Sequence, residues 1–124
     1  MSEIAECPCV LVVEDEALVA MLLEDMLADL GYQVGPMAGC LEEAMRLAES
    51  ETFDVAILDV NLNGQVSYPI AEILTRRGIP FLFATGYGAR GIDPAYAAAT
   101  VLQKPFVQSD LGRAIGRALP LRDA

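Results

Sequence analysis

Four short apolar runs punctuate the chain: Val10-Leu11-Val12-Val13, Val55-Ala56-Ile57-Leu58, Phe81-Leu82-Phe83-Ala84 and Val101-Leu102. None alternates with polar residues, so each reads as a strand covered on both faces. Between them the spacing becomes that of helices. Val19, Leu22, Leu23, Met26, Leu27 and Leu30 recur at three- and four-residue steps, Glu24, Asp25 and Asp29 take the other side, and Gly31 supplies a stop. Leu41, Ala44, Met45 and Ala48 repeat that spacing, with Glu42, Glu43, Arg46 and Glu49 outside. Ile70, Ile73 and Leu74 predict a shorter helix, with Pro69 in its first turn and Gly78 closing it. Leu111, Ala114, Ile115, Ala118 and Leu119 predict the last helix, with Ser109 as its N-cap. A weaker strand is expected at residues 33–35. Over residues 90–100 the pattern is faintest, and 94–99 predict a short or ill-formed helix.

Strand and helix thus alternate about five times along the chain. That is the pattern of an α/β fold: a doubly wound, five-stranded parallel sheet with helices on both faces, joined by right-handed crossovers. The 124 residues are the size of one domain, expected to span 1–124 with no output domain. A chain of this length buries roughly two-thirds of its unfolded surface and needs no staple. Hydrophobic residues make up 54% and aromatics only 6%, so the core must be mostly aliphatic.

Charge and composition then remove whole classes of function. A net charge of −10 argues against reading nucleic acid or gripping an anionic membrane. Histidine is absent, which excludes Ser-His and Cys-His nucleophile pairs, a His-ligated metal and a phosphohistidine in this chain. Cys7, Cys9 and Cys40 have neither redox nor zinc spacing and read as small buried hydrophobes or free thiols in a reducing cytoplasm. No stretch approaches a membrane span and residues 1–6 are acidic, so a cytoplasmic location is expected.

In such a sheet the residues just past the carboxyl ends of the strands gather along one edge, where ligands bind. Glu14, Asp15 and Glu16 follow the first strand, Asp59 follows Leu58, Thr85 follows Ala84, and Lys104 follows Gln103. Lys104 is the only lysine, and it ends an apolar strand instead of lying on an exposed helix. Carboxylates crowded at one point need a compensating cation. A hard divalent ion with oxygen ligands, Mg²⁺ or Mn²⁺, is the natural occupant. A carboxylate beside such an ion can attack phosphorus and form an acyl phosphate. The metal, the Lys104 ammonium and the Thr85 hydroxyl would then meet the phosphoryl oxygens. Asp59, between strand one and strands four and five, is the expected nucleophile.

Taken together, Glu14-Asp15 in Val-Val-Glu-Asp-Glu, Asp59 in Ile-Leu-Asp-Val-Asn, Thr85 after the fourth strand and Lys104-Pro105-Phe106 after the fifth resemble the receiver domain of two-component response regulators. The segment Pro80-Phe81-Leu82-Phe83-Ala84-Thr85-Gly86-Tyr87 looks like its proteobacterial "FAT GUY" branch of stand-alone receivers. The resemblance implies the flavodoxin-like strand order 2-1-3-4-5. It implies that Asp59 takes a phosphoryl group from a phosphohistidine on a sensor histidine kinase or a histidine phosphotransfer protein. Asp15 and Asp59 would ligate Mg²⁺ by side chain and Asn61 by its main-chain carbonyl, with Glu14 acting through water. Thr85 and Lys104 would hold phosphoryl oxygens and report to a downstream protein target, or the domain would serve as a phosphate sink or relay step, being a monomer or weak homodimer. It would be a signalling phosphoacceptor and not an enzyme acting on a separate substrate.

Two departures from the family pattern stand out. The loop after Asp59 opens with Asn63-Gly64, a turn, and holds no proline until Pro69. Three residues before the lysine, where many receivers carry an aromatic, lies Val101. Gly86, Gly88 and Gly91 around Tyr87 point instead to a loop that phosphorylation would order. Tyr87 and Phe106 read as packing residues.

Rival functions fit less well. An interaction module that works without phosphorylation would differ only in leaving Asp59 unmodified. A phosphatase with an Asp nucleophile resembles sequences with a second Asp two residues on as general acid; here Asn61 holds that position. A flavodoxin-like FMN carrier wants a hydroxyl-rich phosphate loop where this chain has three carboxylates.

Overall fold

The computed structural model describes residues 7–87 and 91–119. Gly88, Arg90 and the acidic start at 1–6 lie outside the described residues. In chain order the elements are β1 (Cys9–Val13), α1 (Ala17–Asp29), β2 (Gln33–Ala38), α2 (Leu41–Ser50), β3 (Val55–Asp59), β4 (Asn61–Leu62) and β5 (Gln65–Val66), then α3 (Tyr68–Arg77), β6 (Phe81–Thr85), β7 (Thr100–Gln103) and α4 (Gln108–Ala118). Five strands form one sheet in the order β2-β1-β3-β6-β7, every pair parallel. With the small β4–β5 hairpin set aside, this is the expected 2-1-3-4-5 order. No helix of the described residues is long and apolar enough to cross a membrane.

The unbroken apolar runs have the predicted cause. On one face Val10, Val12, Val55, Ile57, Leu82 and Ala84 pack against Leu23 and Leu27 of α1 and Leu111, Ala114 and Ile115 of α4. On the other, Leu11, Val13, Ala56, Leu58 and Phe83 meet Ala44 and Ala48 of α2 and Ile70, Ala71, Ile73 and Leu74 of α3. Strand β3 is buried at every residue, as a central strand must be.

Several expectations need correction. Strand β2 runs three residues past Gly35, through Pro36, because the pairing slips between Val10↔Val34 and Val12↔Met37. This bulge on an edge strand leaves the proline's missing N–H unneeded. Ser109 is not the cap of α4; the helix begins at Gln108, and the Asp110 carboxylate accepts from the Val107 N–H at 3.2 Å. The short or ill-formed helix expected over 94–99 is a single 3-10 turn, Pro94–Tyr96, opened by the Asp93 side chain accepting from Ala95 N–H. Its last residue, Tyr96, packs edge-on to Phe81 and Phe83. Leu22, expected in the buried stripe of α1, is exposed together with Leu18 and Met21. Tyr87 is 81% exposed and packs nothing in, whereas Phe106 packs against the α1–α4 face of the core.

The Asn63-Gly64 turn is tighter than a loop. Both residues have positive φ (52° and 88°), and they join β4 to β5 as a two-residue hairpin. An Asn-Gly pair is suited to this backbone because both positions are left-handed. The hairpin rises directly from the end of β3, and its base is closed by Ser67 N–H donating to Val60 O.

Candidate functional site at the carboxyl ends of the strands

Backbone bonds extend the ladders one step beyond the strands and fix each polar residue in place. Glu14 N–H donates to Ala38 O, Val60 N–H to Ala84 O, and Lys104 N–H to Thr85 O, all at 2.9–3.1 Å. The side chains at these points are drawn inward: Glu14 is 5% exposed, Asp59 7% and Thr85 4%. Lys104 reaches across to them. Its Nζ lies 3.0 Å from Glu14 Oε1 and 3.2 Å from Asp59 Oδ2. The peptide bond between Lys104 and Pro105 is cis.

Carboxylate oxygens of Glu14, Asp15 and Asp59 come within 4.8 Å of one another. Burial and then the Glu14 charge push the Asp59 carboxyl from 3.8 up to about 7, against the opposing pull of the Lys104 ammonium. Burial works to neutralise Lys104, but its bonds and charges with Glu14 and Asp59 prevail and hold its pKa above the ordinary lysine value. The ammonium stays charged and one carboxylate of the pair carries the strain.

Asp15 and Asn61 are set differently. Asp15 Oδ2 accepts from the Asn63 N–H at 2.9 Å, tying the first acidic loop to the hairpin turn. Asn61 opens β4, and its side-chain oxygen accepts from Gly64 N–H at 2.7 Å. That oxygen serves the turn. Glu16 is exposed; its N–H donates to Glu14 Oε2. Thr85 Oγ1 accepts from Tyr87 N–H at 3.1 Å and makes no direct bond to Asp59. Beside Lys104 lies a groove lined by Glu16, Val19, Leu22, Met26, Pro105 and Phe106.

The fold and this edge together define a doubly wound α/β domain with an acidic crevice, bridged by one ammonium, at the carboxyl ends of its strands. The model of the response regulator receiver domain matches residues 10–116, and the chain belongs to that family. It is similar to the transcriptional regulatory protein PdtaR of Mycobacterium tuberculosis, 38% identical over 114 residues and 89% of this chain. The chain spans about half the length of the curated relatives it matches, 56% of PdtaR and 43% of the PhyR regulator of Methylorubrum extorquens. Among solved structures, SdrG from Sphingomonas melonis Fr1 superposes with a TM-score of 0.81 at 39% identity, covering 91% of this chain and 97% of SdrG. The receiver domain of the sensor kinase PA1611 from Pseudomonas aeruginosa, solved with magnesium in its active-site cleft, has a TM-score of 0.76 at 27% identity, covering 90% of this chain and 97% of that one.

Proposed function

We propose that this receiver domain accepts a phosphoryl group on Asp59 from a phosphohistidine of a partner kinase or phosphotransfer protein. One observation carries the reading: Asp59 is buried at the end of the central strand with the lone lysine's ammonium 3.2 Å from its carboxylate and two more carboxylates at hand. The donor set is all oxygen, hard and anionic, and so suits Mg²⁺ or Mn²⁺ over softer ions. Asp15 and Asp59 would hold the ion by side chain, the Asn61 carbonyl would add a third protein oxygen, and Glu14 would act through water. When bound, the ion supplies positive charge to the phosphoryl oxygens and keeps Asp59 ionised.

The step is an in-line displacement. An Asp59 oxygen forms the new bond to phosphorus while the phosphorus–nitrogen bond of the donor breaks, and the imidazole nitrogen leaves with that electron pair. Lys104 then exchanges its pairing with Asp59 for a phosphoryl oxygen, and the Thr85 hydroxyl donates to another. The domain thus works as a cytoplasmic signalling switch whose phosphorylated state is read by a downstream protein. The apolar groove beside Lys104 gives the histidine-bearing donor a surface next to the acceptor. Placement in the "FAT GUY" branch is part of the same reading and rests on residues 80–87.

Intact-mass spectrometry after incubation with acetyl phosphate and Mg²⁺, and with a histidine kinase of the same cell, tests this. The expected result is a gain of one phosphoryl group, absent with EDTA and absent in Asp59→Asn. Failure of the wild type to gain mass from either donor would overturn the reading in favour of an interaction module that works unphosphorylated.

A further inference from the structure

Strand β7 carries no aromatic: Val101 pairs with Phe83, and Thr100, Leu102 and Gln103 complete it. We infer that Tyr68 is the positioning residue for Thr85, pinning the chain at Gly91 and Asp93 so that Gly91 is seated against the Thr85 hydroxyl. This rests on the reading of Asp59 as phosphoacceptor.

Tyr68 opens α3, the helix that follows Asp59 and its hairpin. Its ring is held twice, stacked on Tyr96 at 5.1 Å and edge-on to Phe83 at 5.7 Å. Its hydroxyl therefore has a fixed address. There it accepts from Asp93 N–H at 2.7 Å and makes a longer bond to Gly91 O at 3.5 Å. Gly91 in turn lies so close to the site that a Cβ at this position would stand 3.2 Å from Thr85 Oγ1 and 3.0 Å from Tyr87 Cβ. Thr85 Oγ1 already accepts from Tyr87 N–H, and among the described residues it donates to no one. Tyr68 thus holds the segment that passes beside Thr85, and the threonine's proton is left for a phosphoryl oxygen. A hydroxyl held from behind in this way meets the reacting group without searching for it.

The test compares wild type, Tyr68→Phe, Thr85→Ala and the double variant by rate of phosphoryl uptake from acetyl phosphate at saturating Mg²⁺. Tyr68→Phe keeps both ring contacts and removes only the hydroxyl. It should slow uptake about five-fold, roughly the worth of one net hydrogen bond, with the Mg²⁺-induced rise in Tm unchanged. Added to Thr85→Ala it should cost nothing more, because the group it positions is gone. Hydrogen exchange of the Tyr87 amide should quicken in Tyr68→Phe. Gly91→Ala, which crowds Thr85 from the same side, should reproduce the slowing and lose it when Thr85 is alanine. An unchanged rate in Tyr68→Phe, losses that multiply in the double variant, or an undisturbed Tyr87 amide would overturn the inference. Should the wild type take up no phosphoryl group, the acceptor reading falls, and the Tyr87 amide alone decides whether Tyr68 positions Thr85.

Discussion

Two aspartates bracket the central strand, Asp54 just before β3 and Asp59 at its end, and their settings are opposite. Asp54 is exposed; its Oδ2 accepts from the Cys9 N–H at 2.7 Å while its own N–H donates to Cys9 O at 2.8 Å. That is a carboxylate spent on stitching the start of β1 to the start of β3. Asp59 is buried, faces Glu14 and depends on a single ammonium for compensation. The same side chain is a structural clasp at the amino end and a strained, reactive group at the carboxyl end. In a parallel sheet every strand delivers its next residue to the same edge, so only one end accumulates the crowding from which chemistry can be made.

The largest effect expected from breaking this contrast is at Lys104. Lys104→Met leaves Glu14 and Asp59 facing each other with no cation. Removing one partner of a fully buried pair costs several kcal/mol; with the Lys104 side chain 22% exposed, about 2 kcal/mol is expected. Urea unfolding at pH 8 in EDTA should reveal that loss, and millimolar Mg²⁺ should recover part of it by binding the folded form. A variant as stable as wild type under those conditions would show that the ammonium does not compensate the pair.

Next comes the pH dependence. The Asp59 carboxyl titrates at about 7 in the folded chain against 3.8 for an unperturbed aspartate. The folded state therefore holds this proton more tightly, and the stabilisation it lends at low pH is lost as pH rises from about 4 to about 7. In EDTA, Asp59→Asn should melt above the wild type at pH 8, and the gap should narrow towards pH 5. With Mg²⁺ the wild type should regain most of the difference at pH 8. A gap constant across that range would mean that Asp59 is not the strained member.

Much of this site was legible in the sequence because it needed only strand ends and direction. Glu14, Asp59 and Thr85 each come directly after an apolar run and Lys104 one residue further on, and a parallel sheet brings the carboxyl ends of its strands to one edge. The features that escaped had weaker signals. The β4–β5 hairpin has two residues a side, too few for any alternation, so Asn63-Gly64 reads only as a turn. The seven residues at the start of α1 are all apolar, so periodicity could not say that Leu18, Met21 and Leu22 would face outward. Between β6 and β7 the alanines at 97–99 offer no stripe to bury, so the helical turn ends at Tyr96, whose ring fills the space by aromatic packing. The Tyr68 contacts join residues more than twenty positions apart and leave no mark on local pattern.

The smallest expected effect is at Asp54, and it sharpens the contrast from the other side. Asp54→Ala removes the acceptor for Cys9 N–H and leaves that amide to water, since the position is exposed. A hydrogen bond to a carboxylate is worth more than a neutral one, but exposure lowers its net value, so about 1 kcal/mol should be lost in urea unfolding. Phosphoryl uptake and the Mg²⁺-induced rise in Tm should both stay at wild-type values, because the strand separates Asp54 from the crevice by its whole length. A slower uptake in Asp54→Ala would mean that the register of β1 against β3, which sets Glu14 beside Asp59, is itself adjusted from the amino edge. The two ends of the sheet would then be one device instead of a clasp and a reactive site that merely share a strand.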